Sequence, residues 1–126
     1  MQFPEELRYT EEHEWIRIED TTGTVGITDY AQHELTDIVF VELPRPGAKV
    51  EQGRPFGTVE AIKAVSDLYS PVDGTVAEVN GDLEAHPEWV NQDPYGKGWM
   101  VKITMSDPMQ GTKLLSAKDY RALISE

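Results

Sequence analysis

Residues Trp15, Ile16, Arg17, Ile18 and Glu19 alternate as a half-buried strand does, and Asp20 to Gly23 supply turn residues before the chain returns through Thr24, Val25, Gly26, Ile27 and Thr28. This pattern predicts a hairpin. Thr28 or Asp29 can cap a helix of a turn or two through Leu35. From Asp37 to Leu43 the run of Ile38, Val39, Phe40, Val41 and Leu43 reads as a more buried strand, ended by Pro44 and Pro46 because neither ring can donate to a ladder. A turn-rich stretch from Pro46 to Gly53 precedes a segment, Phe56 to Tyr69, in which Val59, Ala61, Ile62, Val65 and Leu68 flank a central Lys63. Thr75 to Val79 alternates again, and Trp99 to Ile103 reads as the final strand. Between them the polar stretch from Asn80 to Gly98 has Leu83, Trp89 and Val90 as anchors for a short helical excursion. Ser116 caps a closing helix that places Tyr120, Leu123 and Ile124 on one face.

Short strands separated by Gly and Pro turns argue for an antiparallel β body, not a βαβ nucleotide-binding unit, and there is no Gly-rich phosphate loop. Pro46 to Val59 and Pro71 to Val79 each run from a Pro-Gly turn into a strand, as two facing half-sheets would. At 126 residues the chain predicts one domain, 1-126, able to enclose a core without staples. The absence of Cys excludes disulfides, thiolate metal ligation and a thiol nucleophile. Twenty-three acidic residues against eleven basic ones, a formal charge of -12, oppose nucleic-acid binding and favour solubility and steering toward basic partner surfaces. No run of apolar residues reaches membrane-spanning length, so a soluble chain without membrane association is expected. His13, His33 and His86 are too scattered to predict a metal site, and Trp15, Trp89 and Trp99 read as core or patch-covering aromatics. No nucleophile, base and orienter set is recognisable, so no catalytic residue is assigned.

The segment around Lys63 is the most informative. With Val59 and Ala61 facing inward, period-two alternation sends Glu60 and Ile62 outward, and a run this long has to turn near Lys63. A lysine at a hairpin tip is ordinarily a solvated charge that keeps an edge soluble. Here Ile62, Ala64 and Val65 surround it with an exposed apolar collar, which calls for a reason.

Glu60-Ala61-Ile62-Lys63-Ala64-Val65-Ser66-Asp67-Leu68-Tyr69-Ser70-Pro71 is similar to the modification segment of the glycine cleavage system H proteins, and Tyr9-Thr10-Glu11-Glu12-His13-Glu14-Trp15 resembles their opening signature. Gly26 to Ala31, Phe40 to Pro44 and Asn91 to Trp99 match further blocks of the same family. The Asp-Lys-Ala and Met-Lys-Met patterns of related lipoyl and biotin carriers are absent. The resemblance implies a mainly β, barrel-sandwich hybrid fold of two small antiparallel sheets with short helices and a C-terminal helix, as a single lipoyl-carrier domain with peripheral terminal segments. It implies lipoate attached covalently to Lys63, no metal and no catalysis by the chain itself. The implied partners are glycine decarboxylase, which loads an aminomethyl group, aminomethyltransferase, which removes it, dihydrolipoamide dehydrogenase, which reoxidises the arm, and a lipoylating enzyme. Glu60 and Asp67, bracketing Lys63, are candidates for recognition by that last enzyme. Glu12, His13 and Glu14, with Asp67, are candidates for a groove that shelters the arm; His13 alternatively organises a local hydrogen bond. A monomer is expected, in the cytoplasm of a bacterium or, as a processed eukaryotic chain, in the mitochondrial matrix.

Overall fold

The computed structural model describes residues 1–126. In chain order the strands are β1 (Arg8–Tyr9), β2 (Glu14–Glu19), β3 (Thr22–Ile27), β4 (Ile38–Glu42), β5 (Lys49–Val50), β6 (Pro55–Ala61), β7 (Val65–Tyr69), β8 (Gly74–Val79) and β9 (Val101–Met105). The helices are α1 (Asp29–Leu35), α2 (Trp89–Gln92), α3 (Pro108–Gly111) and α4 (Ala117–Leu123), with a 3-10 turn at Gly81–Glu84. The strands form a six-stranded sheet, β1-β2-β3-β9-β8-β5, and a three-stranded sheet, β4-β6-β7, with every neighbouring pair antiparallel.

Alternation explains how the sheets meet. Ile16, Val25, Val76, Val101 and Ile103 line the inner face of the larger sheet, while Ile27 and Met100 join Val41, Val59 and Leu68 of the smaller one in a second apolar cluster. Leu83 and Val90 belong to this second cluster, so the irregular stretch between β8 and β9 is held on the body by the anchors expected of it. The terminal segments form a third cluster, in which Tyr9 stacks on Tyr120 at 4.9 Å and Phe3 packs edge-on against both rings. No helix is long and apolar enough to cross a membrane.

Several elements differ from the sequence reading for physical reasons. The β2–β3 hairpin closes on a loop of only Asp20 and Thr21, with Asp20 taking a positive φ, so the return strand starts at Thr22. β9 begins two residues later than expected. The Gly96 and Gly98 amides both close on Asp93 O and the Trp99 amide on Gly96 O, which keeps the chain turning until Met100. A register irregularity between Ile38 and Phe40 turns part of β4 outward: Val39 is 50% and Phe40 45% exposed, where a more buried strand was expected. Helix α3 was not foreseen, although Asp107 caps it and Pro108 opens it. In α4, Ala117 and Tyr120 are buried and Ile124 packs beside them, whereas Leu123 rotates to the surface and does not share their face.

The two half-sheet segments end in opposite sheets, β6 in the smaller and β8 in the larger, but Lys49 and Val50 leave the first of them to pair with β8.

Candidate functional site

The β6–β7 hairpin is closed by the pairs Thr58 with Asp67, Val59 with Ser66 and Glu60 with Val65. At its crest the Ala61 amide donates to Ala64 O at 2.7 Å, and the Ile62 amide donates to Asp37 O at 3.2 Å, so the tip is fastened both across its own loop and from the side. None of Ile62, Lys63 and Ala64 takes a positive φ, which explains why the turn needs no Asn-Gly or Gly pair. Lys63 is exposed on this crest. Ile62 and Val65, at 66% and 65% exposure, stand beside it as the apolar collar.

The alternation within the hairpin is the one expected: Val59, Ala61 and Leu68 are buried, while Glu60 and Asp67 lie outside the core. Across the small sheet, Phe40, Glu60 and Val65 form one row, Val41, Val59 and Ser66 the next, and Glu42, Thr58 and Asp67 the one after. Glu60 and Asp67 therefore do not face one another directly. They are diagonal positions on the two strands that support the crest.

A cleft of about 230 Å³ opens between the return strand of this hairpin, helix α1 and the start of β2. Its apolar lining includes Ile27, Val59 and Leu68; Glu12, His13 and Glu14 contribute from β2 and the turn before it, and Ser66 and Asp67 from β7. A larger cleft, about 310 Å³, lies at Tyr9, Gln52 and Pro71 but takes no residue from the hairpin strands and has few hydrophobic residues in its lining. The smaller cleft thus combines apolar walls with a few polar groups beside the crest, the composition that an organic arm requires.

Glu14 is 1% exposed. Its carboxyl accepts from Thr10 Oγ1 at 2.6 Å and from the Tyr69 amide at 3.2 Å, and burial pushes its pKa up to about 8 in spite of these bonds. No cation pairs with it, so at neutral pH this is largely an uncharged acid, one that becomes a counter-ion when a cation approaches. The Tyr69 contact also ties the edge strand of the small sheet to the start of β2.

His13 takes a left-handed φ of 73° and places Nδ1 2.8 Å from the Tyr120 hydroxyl, with its ring tilted against Tyr30 at 5.0 Å. The ring thus organises a hydrogen bond, to the distant Tyr120, and also lines the cleft. Burial lowers its pKa, opposed by Glu12 and Glu34. The cleft thus brings together Glu12, His13, Glu14 and Asp67, whereas Glu60 is outside it. Sequence reasoning missed Tyr30 and Glu34, whose spacing of four residues along α1 was the available signal, and Ser66.

His33 and His86 are exposed, the latter stacked on Trp89 at 4.5 Å. Trp15 is wholly buried with Nε1 donating to Pro94 O, while Trp89 and Trp99 are half-buried under Lys97 and Lys102, in keeping with core and covering roles.

Residues 7–126 match the family described as "Glycine cleavage H-protein". The chain is similar to the glycine cleavage system H protein of Geobacillus kaustophilus, 55% identical over 100% of this chain and 99% of that protein. It is also similar to that of Brevibacillus brevis, 53% identical over the full length of both. Among solved structures, a glycine cleavage system H protein from Mycobacterium marinum aligns with a TM-score of 0.92 at 37% identity, covering 98% of this chain and 100% of that one.

Proposed function

The chain belongs to the glycine cleavage H-protein family and serves as the non-catalytic, lipoyl-bearing shuttle of that system, and we propose that Lys63 is the residue to which the lipoyl group is attached. The observation that carries this reading is the exposed amine on a fastened hairpin crest, flanked by an apolar collar and adjoining a cleft of suitable chemistry. The other lysines lack that setting: Lys97 and Lys102 lie over Trp89 and Trp99, and Lys49, Lys113 and Lys118 are not on a hairpin crest.

The attached group supplies a cyclic disulfide on a long rotatable tether, able to accept the aminomethyl group and to return reducing equivalents. The chain's own part is to hold the attachment point rigid, to exclude water from the loaded end and to balance its charge. Ile27, Val59 and Leu68 provide the apolar lining, and Glu14 provides a buried acid that ionises as an amine approaches. Glycine decarboxylase, aminomethyltransferase and dihydrolipoamide dehydrogenase are the proposed successive hosts of the arm. Glu60 and Asp67 are the proposed charges read by the lipoylating enzyme.

Intact mass of the chain isolated from lipoate-supplied cells tests the site. The native chain should gain one lipoyl adduct, mapped to the peptide containing Lys63, and Lys63→Ala should carry none while keeping its far-UV circular dichroism. A lipoyl adduct retained on that variant overturns the assignment.

A further inference from the structure

Thr28 and Tyr120 are fully buried, and their hydroxyls form a chain that ends on His13. Thr28 Oγ1 has two partners: the Ala31 amide at 3.1 Å and the Tyr120 hydroxyl at 2.8 Å. An amide N–H can only donate, so the hydrogen of Thr28 has one destination, the Tyr120 oxygen. The Tyr120 hydrogen then goes to its other partner, His13 Nδ1 at 2.8 Å. The relay runs from the cap of α1 through the C-terminal helix to the cleft, with each donor matched to an acceptor. His13 Nδ1 is thereby an acceptor, and the ring proton resides on Nε2.

Protonating Nδ1 would force both hydroxyls to reverse and leave the Thr28 hydrogen without a partner in a place water does not reach. The backbone holds the same geometry independently, because the Thr28 amide donates to His13 O at 3.0 Å. We infer that Tyr120 is a positioning residue for the cleft: it fixes His13 as the uncharged Nε2–H imidazole and so keeps a competing cation out of a site that receives an amine. This rests on the reading of the cleft as the berth of the loaded arm. The groups facing His13 are Glu12 and Glu14 from its own segment, Tyr30 and Glu34 from α1, Asp67 from β7 and Tyr120 from α4. None of them is Lys or Arg. The Glu12 and Glu34 carboxylates favour the imidazolium and burial opposes them; the hydroxyl relay adds the separate cost of an unpartnered Thr28 hydrogen.

The test is ring-nitrogen NMR of the full-length, lipoyl-free chain through a pH titration. Wild type should show His13 as the Nε2–H tautomer. In Tyr120→Phe the His13 midpoint should move upward by roughly half to one pH unit, the size of a lost hydrogen bond, with the tautomers mixed. Thr28→Ser, which keeps the hydroxyl, should titrate as wild type. An Nδ1–H tautomer in wild type overturns the inference with no variant needed, so it stays testable even if Tyr120→Phe does not fold. An unmoved midpoint in a folded Tyr120→Phe chain overturns it equally. In the lipoylated, amine-loaded chain, Tyr120→Phe should lose its amine faster than wild type near about pH 6 and at the wild-type rate near about pH 8, across the His range; equal loss at both overturns the cargo role. The ring spectrum does not depend on attachment at Lys63, so failure of the relay and failure of the lipoyl site are read by separate measurements.

Discussion

Glu14 shows how a single buried side chain ties stability to pH. Its folded pKa, about 8, lies above the ordinary carboxylate range because burial penalises the charged form more than Thr10 and the Tyr69 amide favour it. An acid whose pKa rises on folding contributes stability that is fully present below its unfolded pKa and is lost as pH rises through the folded one. The wild-type chain should therefore lose stability on the order of a few kcal/mol between about pH 5 and pH 8 from this group. Glu14→Gln should flatten that slope in urea unfolding measured at several pH values. The amide has one oxygen where the carboxyl has two, so it cannot accept from both the Tyr69 N–H and the Thr10 hydroxyl as Glu14 does; this adds a pH-independent penalty, so the slope and not the absolute stability is the readout. An unchanged slope would mean that the carboxyl ionises freely in the folded chain and offers nothing to an incoming amine beyond an ordinary surface charge.

At the scale of elements, the hairpin separates folding from recognition. Val59, Ala61 and Leu68 hold it to the core, while Ile62 and Val65 are mostly solvent-exposed. Replacing both collar residues with Ser should change stability by only about 0.5 kcal/mol for each exposed position while slowing modification of Lys63, measured as the rate of adduct gain with a purified lipoylating enzyme. Glu60→Gln with Asp67→Asn should also slow it, with the difference from wild type shrinking as salt is added. Gly57 serves the opposite purpose: a Cβ there would run into the backbone oxygen of Glu42, so Gly57→Ala should force β4 and β6 apart and cost roughly 2 kcal/mol in urea unfolding. The hairpin was legible from sequence because period-two alternation on either side of a central Lys leaves few other arrangements, and the caps at Thr28 and Ser116 were legible because their chemistry is local. The outward turn of Val39 and Phe40 was not, since a bulge depends on the partner strand. The cleft was legible only in part: Glu12, His13, Glu14 and Asp67 were named from the family resemblance, whereas Tyr30, Glu34 and Ser66, and Tyr120 behind His13, join them only through tertiary packing, the spacing of Tyr30 and Glu34 marking no more than a shared helix face.

Over the whole molecule, the two sheets and the terminal cluster make a rigid support for one flexible attachment, and charge sets how that support meets its partners. The terminal cluster is more than a covering, because Tyr120 reaches from it to His13 at the cleft, so the last helix and the cleft wall share a hydrogen-bonded frame. Surface ion pairs contribute little to that frame: Arg54 with Glu51 and Lys102 with Glu78 join exposed or half-exposed groups. The formal charge of -12 instead leaves an excess of unpaired carboxylates, Glu60 and Asp67 among them beside the crest. A long-range field of one sign speeds encounter with surfaces of the other sign and is screened beyond about 8 Å at physiological ionic strength. Association with the enzymes that host the arm should therefore slow steeply with added salt while dissociation changes little, as stopped-flow fluorescence at several salt concentrations would measure. An association rate indifferent to salt would place the recognition in the apolar collar alone, and the acidic surface would then serve solubility only.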